Sequence, residues 1–414
     1  MEWRHSSYVC AVNSLAALRS EPSPAQNRPQ ARAFPSDAPG PRLDALTGLR
    51  WIAAFAVFVY HARLFLPLPH MTHVAPMGNT GVTFFFVLSG FVLTWSFVRT
   101  DTAPRFYWRR FARIWPALAV STALAIPVFY YGRGIPFDAM SQLGVLASLT
   151  FVRSWFPSIM FAGNPAAWSL SNEAFFYLLF PFLIRPLLRL RVRWLALLAV
   201  ALVTFNIGLR WWGYGADLTA VQATYVFISP IGRLAEFVLG MTGAAAMRRG
   251  WRAPVPVSLA TVAVGVVLAI IWYDSSHPEL LSSVGTESPL ANGMNQLMGA
   301  LYALLIVAVA TRELTGKPMF LRTRLMVTLG TWSYSFYLIH ATVLYGLSQI
   351  WFGRQPPSWS NVPPLLVSLA IAIGLSAALY RLVEHPAEKA LRRMLTRPSA
   401  HAVPTAPPRD ERVS

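Results

Sequence analysis

The chain has 414 residues, 55% of them hydrophobic and only 13% charged, with a mean hydropathy of +0.45. A soluble globular protein carries roughly 25% charged residues. The deficit, with repeated apolar runs of about 20 residues, excludes the ordinary soluble classes and predicts an all-α polytopic membrane bundle. The net charge of +18, from 35 Lys and Arg against 17 Asp and Glu, falls in clusters between the apolar runs. That is the positive-inside signature, and no nucleic-acid recognition motif accompanies it, so nucleic acid is not an expected partner. The single cysteine, Cys10, excludes an intramolecular disulfide framework and a Cys-rich metal site.

Residues 1–42 are rich in Pro, Ala, Ser and Arg without periodicity and read as a disordered cytoplasmic tail. Within them Tyr8–Leu18 imitates a short signal peptide but shows no clear cleavage site. The first span is expected over Trp51–Leu68, with Arg50 left inside, and the second over Thr80–Val98. The short loop between them carries His70 and His73. Arg105, Arg109, Arg110 and Arg113 follow on the inner side, and Ile114–Tyr131 goes out again. Ala139–Pro157 is apolar but broken by Arg153 and Pro157; read as a full span it would place Arg185, Arg189, Arg191 and Arg193 outside. It is therefore expected to be a re-entrant or interfacial helix on the outer face.

The rest alternates: Trp168–Leu187, Trp194–Trp212, Ala220–Met247, Val255–Tyr273, Leu290–Thr311, Met326–Trp351 and Pro364–Val383. The expectation is about ten spans in the inner (plasma) membrane with both termini cytoplasmic. The membrane domain covers 43–390, and 391–414 reads as a disordered basic tail.

Ionisable groups at bilayer depth are costly and usually functional. At 1.5 Å per residue, a span entering at Trp51 puts His61 about 15 Å from the inner surface. The same arithmetic puts Glu173 about 7 Å below the outer surface, Ser89 about 14 Å below it, and His340 about 20 Å from the inner face. In a core about 30 Å thick these groups can share one central-to-outer cavity. A His beside a carboxylate is a sensible general base, because the carboxylate fixes the tautomer and stabilises the imidazolium. The competing reading is that each merely bonds a neighbouring helix. Arg110 and Arg113 are spaced i, i+3 and share a helix face, suited to gripping one polyphosphate, with Arg50 at the same level. The competing reading for each Arg is a topology determinant. No Walker-type loop, His-Glu-x-x-His, Gly-x-Ser-x-Gly or dinucleotide fingerprint is present.

Five blocks in order resemble the acyltransferase-3 family of integral membrane acyltransferases. They are Leu46-Thr47-Gly48-Leu49-Arg50 with ten residues before His61; Gly81 through Phe91, containing Ser89-Gly90; Tyr107 through Pro116, containing Arg109, Arg110 and Arg113; Trp168-Ser169-Leu170-Ser171-Asn172-Glu173 through Pro181; and Ser333-Tyr334-Ser335 through His340. The resemblance implies acyl transfer, usually from acyl-CoA, to a hydroxyl of a sugar, glycolipid or macrolide-type acceptor. It implies His61 as the catalytic His with Arg50 completing an Arg-x10-His motif, and Glu173 as the acidic residue of its block. Arg110 and Arg113, with Arg109 beside them, match the pair that serves the CoA donor. Two departures, Thr47 where the family often has Asp and Glu173-Ala174-Phe175 where it often has Glu-Glu-Gln, are similar to the macrolide acyltransferase branch.

The expected mechanism has His61, supported by Glu173 or His340, deprotonating the acceptor, with Ser89, Ser171 or Tyr337 bonding the oxyanion. No metal and no tightly bound cofactor is expected; the partners are acyl-CoA, the acceptor and membrane lipid. The alternative function is a proton-coupled transporter or flippase relaying protons through His61 and Glu173.

Overall fold

The structure, a computed structural model, describes residues 38–394 apart from 72–73, 217–218, 220–221, 223–224, 227 and 278–293. The readings placed on Cys10, Tyr8–Leu18 and His73, and on residues 1–37 and 395–414 of the two tails, lie outside the described residues. The long helices are α1 (Asp44–Ala62), α2 (Thr80–Trp95), α3 (Ala103–Phe129), α5 (Trp168–Leu187), α6 (Val192–Gly215), α7 (Pro230–Arg248), α8 (Val257–Ser276), α9 (Met294–Leu314), α10 (Arg324–Leu347) and α11 (Val362–Leu379). Two short ones, α4 (Ala139–Leu149) and α12 (His385–Met394), complete the set, and no strand occurs among the described residues. The chain is an all-α polytopic bundle.

Eight helices among the described residues are long and apolar enough to cross a membrane. The two other long helices are α7, which carries Arg233 and Glu236, and α10, which carries Ser333, Tyr334, Ser335, Tyr337 and His340. These polar helices sit inside the bundle, where Arg233, Glu236, Ser333, Ser335 and His340 are all buried. The most apolar stretches of α6 and α8 are only 11% and 17% buried, so these helices turn their apolar surface outward to lipid. At 11 residues, α4 is about 16 Å long and cannot span, as expected.

The helices alternate so that the basic clusters gather at one end. There Glu313 of α9 accepts from the Asp44 and Ala45 amides (2.9 and 3.0 Å) and caps α1. Arg248 donates to the Trp95 carbonyl (2.8 Å), Arg249 to Leu188 (2.7 Å) and the Trp108 indole to Leu391 (2.7 Å). At the opposite end the Gln355 amide donates to Phe65 (2.8 Å) and Gln349 to Val128 (2.8 Å). Glycine permits the closest crossings. A Cβ on Gly90 would stand 1.9 Å from the Phe237 carbonyl oxygen, and one on Gly240 1.8 Å from that of Val87, so α2 and α7 meet backbone to backbone. A Cβ on Gly330 would stand 1.8 Å from the Thr47 oxygen, drawing α10 onto α1.

Several boundaries differ from expectation. The Glu313 cap starts α1 at Asp44, seven residues before Trp51, and the helix ends at Ala62, ahead of Pro67 and Pro69. His61 therefore lies on the last turn of α1 rather than midway along it. The Arg105–Arg113 cluster forms the first turns of α3, as the i, i+3 reading of Arg110 and Arg113 required, so the helix starts at Ala103 and not at the expected Ile114, because Thr102 is extended and Pro104 suits the helix start. Residues 38–42 are not a free tail: the Gly40 amide donates to Trp95 (2.9 Å), the Trp95 indole to Pro41 (2.9 Å), and Arg248 to Ala38 (3.1 Å). At the other terminus α12 continues to Met394, past the expected boundary at 390.

Candidate active site

Helices α1, α2, α3, α5 and α10 enclose a cavity of about 170 Å³. Its basic end is lined by Arg50, Arg110 and Arg113, its middle by Ser89, Glu173, Tyr177 and Tyr334, and its far end by Val82, Phe85, Phe86, Ser169 and Tyr337. Glu173 accepts from Ser89 Oγ (3.0 Å) and from the Tyr177 hydroxyl. Tyr177 is one turn along α5 from Glu173, so helical periodicity puts both on the face toward the cavity. Tyr337 donates to the Ala166 carbonyl (2.7 Å) and takes the hydroxyl of Ser169 (2.8 Å), which ties the far end to the loop before α5.

The four arginines are not equivalent. Arg109 pairs with Asp101 through both guanidinium nitrogens and does not line the cavity. Arg113 lies 2.7 Å from Glu384, which is fully buried and accepts from Ser335 (2.5 Å), and 2.9 Å from Glu388 of α12. Arg110 faces the rings of Phe106 and Tyr177 at 5.9 and 5.8 Å, with no carboxylate partner among the described residues. Arg50 likewise has no ion-pair partner among them and opens on the cavity. The two guanidiniums uncommitted to carboxylate are thus Arg50 and Arg110.

His61 and His340 face each other across the α1–α10 contact, with His61 Nδ1 3.1 Å from His340 Nε2 and ring centroids 4.9 Å apart. The surrounding carbonyls set the tautomers. His340 Nδ1 lies 2.7 Å from the Tyr337 oxygen and therefore carries a proton and donates there. Its Nε2 is then an acceptor in the neutral ring. His61 Nδ1 faces two acceptors, His340 Nε2 and the Val57 oxygen at 3.0 Å, so it too is the protonated nitrogen. That leaves the lone pair of His61 on Nε2, the arrangement of a general base. Arg50 and His61 are eleven residues apart on α1, which is about 16 Å and within about 20° of one helix face.

The expected constellation thus divides into two. Arg50, Arg110, Arg113, Glu173, Ser89 and Tyr337 share the cavity; His61, His340 and the buried Ser171 do not line it. Glu173 bonds Ser89 and Tyr177, whereas His61 bonds Val57 and His340. The cavity does not reach the histidines as the depth argument expected: Phe85 and Tyr337 line it and also touch the α1–α10 side, Phe85 packing against the cluster there and the Tyr337 ring lying 5.8 Å from that of His340. No group of three or more His, Cys, Asp or Glu able to hold a metal occurs among the described residues.

The sequence profile of the acyltransferase-3 family, described as an acyltransferase domain, matches residues 43–381. The chain belongs to the acyltransferase-3 family. It is 33% identical over 379 residues to Acyltransferase MdmB of Streptomyces mycarofaciens, covering 85% of this chain and 93% of that protein. It is 25% identical to Nodulation protein 10 of Rhizobium leguminosarum bv. viciae over 75% of this chain and 82% of that one. A provisionally named O-acetyltransferase of Staphylococcus aureus (strain COL) is 24% identical over 84% of this chain and 57% of its own length. No solved structure gives a significant match. The protein is therefore a multi-pass membrane acyltransferase.

Several residues around this acyltransferase site escaped the sequence reading. Tyr177 and Tyr334 line the cavity, and Tyr334 donates to the Ile114 carbonyl (2.8 Å). Glu384 and Glu388 hold Arg113, and only their position in a basic C-terminal segment marks them in sequence. Arg233 and Glu236 form a fully buried i, i+3 pair (2.7 Å) whose carboxylate also takes Thr83 Oγ1 (3.4 Å). Charges inside the expected span 220–247 were the available signal. Arg153, fully buried in the loop after α4, donates to the carbonyls of Ala162 and Asn164 and braces the segment above Tyr337. Burial pushes its guanidinium down to about 10, still charged at neutral pH.

Proposed function

We propose that this acyltransferase moves an acetyl or other short acyl group from acyl-CoA to a hydroxyl of a sugar, glycolipid or macrolide-type acceptor. The observation that carries the reading is the His61–His340 pair, its basic lone pair set by geometry, next to a cavity whose other end offers Arg50 and Arg110. A CoA phosphate suits those guanidinium forks. The cavity is smaller than the roughly 300–1,000 Å³ of a drug-sized ligand site, so the nucleotide stays at the basic mouth and the pantetheine arm enters. With the basic end facing the cytoplasm of the plasma membrane, these arginines stand where CoA is available.

His61 Nε2 takes the acceptor proton while its Nδ1–H is held by His340 and Val57. The oxygen attacks the thioester carbonyl, the C–S bond breaks, and the imidazolium returns the proton to the leaving CoA thiolate. Ser89 and Ser169 are the cavity hydroxyls that can reach the developing oxyanion, each by giving up the bond it now donates, Ser89 to Glu173 and Ser169 to Tyr337. Glu173, bound to Ser89 and Tyr177, orders the donor arm instead of supporting the base. A transporter reading loses its ground, because the family is one of enzymes. An acetyl or other acyl transfer to oxygen is supported by the names of the relatives and by the His61 geometry.

The test is a deletion strain profiled by lipid, glycan and metabolite mass spectrometry for one lost acyl mass. Purified protein given that acceptor should release CoA thiol in proportion to product. Thiol release that does not track acylated acceptor would overturn the reading.

A further inference from the structure

The cavity and the histidine pair are adjacent without being continuous. Tyr337 closes the cavity on α10, and His340 stands three residues further, a rise of about 4.5 Å, with their rings 5.8 Å apart. The Phe85 ring lies 6.0 Å from that of Tyr337 at an angle of 64°. It lines the cavity and also packs against the cluster of Ala54, Phe58 and Ile339 on α1 and α10 beside the histidines. Its neighbours Phe84 and Phe86 are buried, but Phe85 is only half-buried. The Tyr337 hydroxyl is bonded twice, whereas the Phe85 ring has no polar tether. Of the two rings in the wall, Phe85 is the one held by packing alone.

We propose that Phe85 is a specificity-determining residue: its ring is the end wall of the donor cavity, sets the size of the acyl group held there, and shields the thioester from water on the His61 side. This rests on the acyl-CoA reading above. A thioester entering past Arg50 and Arg110 leads with its acyl group, which comes to rest against Val82, Phe85 and Phe86. A short acyl group fits in front of the ring, and the ring turns aside for the acceptor oxygen. A longer chain meets the ring itself. In an apolar pocket one methylene changes selectivity by about 10- to 200-fold, so removing a phenyl ring extends the accepted length by several carbons. Excluding water from a reactive ester is a recognised role of a closed wall.

The test uses the full chain in detergent or bilayer, with acetyl-CoA, hexanoyl-CoA and free CoA as probes. In Phe85→Ala and Phe85→Leu, affinity for hexanoyl-CoA relative to acetyl-CoA should rise about tenfold or more, and Phe85→Trp should lower it. Affinity for free CoA, which lacks the acyl group, should stay the same. Thiol release from acetyl-CoA without acceptor should increase in Phe85→Ala. The affinity ratio is internal to each variant, so loss of folded protein does not mimic it. An unchanged ratio and unchanged hydrolysis in variants that still bind CoA would overturn the proposal. Failure of the wild-type protein to bind CoA would overturn the acyl-CoA reading and this one together.

Discussion

Replacing His340 by Phe keeps a ring stacked on Phe336, where the present centroids are 6.0 Å apart and the planes 16° from parallel, and removes the Nε2 acceptor 3.1 Å from His61. The Val57 oxygen still accepts from His61 Nδ1 at 3.0 Å, so the productive tautomer survives with one partner fewer. A neutral hydrogen bond contributes about 0.5–1.5 kcal/mol net, which at about 1.36 kcal/mol per decade is a two- to thirteenfold loss of rate. His61→Ala removes the base itself and should cost about 10²- to 10⁴-fold. Both variants should keep the wild-type KM for acyl-CoA, because neither side chain lines the donor cavity. The assay is thiol release at saturating donor with the acceptor found by mass spectrometry, and the double variant should be no slower than His61→Ala. If His340→Phe is as slow as His61→Ala, His340 takes the proton and the assignment is reversed. Wild-type turnover in His61→Ala would remove the base altogether.

Neutral replacement, Arg50→Gln or Arg110→Gln, should raise the KM for acyl-CoA about tenfold or more with little loss of thermal stability, since one charge-assisted hydrogen bond contributes about 1.5–3 kcal/mol. Arg113→Ala should act differently: it strands the buried Glu384 carboxylate and should lower stability by up to about 3–5 kcal/mol, read as a fall in Tm. Adding Glu384→Gln should restore part of that loss, and no restoration would mean that the pair is not the cause. Arg233→Ala should destabilise by a similar amount, whereas Arg233→Met combined with Glu236→Leu should be close to wild type in Tm. Gly240→Ala drives a methyl to 1.8 Å from the Val87 oxygen and should cost about 1–3 kcal/mol of stability. A Tm unchanged from wild type would show that α2 and α7 separate freely.

Hydropathy and charge placement carried most of the fold. Trp168–Leu187 is predicted and observed with identical ends, and the charge rule for Arg185, Arg189, Arg191 and Arg193 demotes the segment after α3, which forms only the 11-residue α4. What failed was set by the relative azimuth of different helices or by distant partners. Depth arithmetic treats a helix as a line, so it placed His61 and Glu173 within reach without knowing that one faces α10 and the other faces Ser89 and Tyr177. The start of α1 depended on a carboxylate 269 residues away, which no local window contains. Arg109, Arg110 and Arg113 look alike in sequence, yet Asp101, two aromatic rings and Glu384 give them three different situations. Motif reading set Arg110 and Arg113 apart from Arg109, but could not tell those two from each other.

The clasp on Arg113 also has a temporal side. Its contact with Glu388 joins residues 275 apart in sequence, and translation proceeds at about 5–20 residues per second. Roughly 14–55 s therefore separate the synthesis of the guanidinium from that of its partner. During that interval neither Glu384 nor Glu388 exists to meet that cation, and the basic mouth of the bundle takes its final form only as α12 docks. A chain stopped short of residue 384 would keep nearly all of its apolar helices and still lack the piece that completes the end where the donor is proposed to enter.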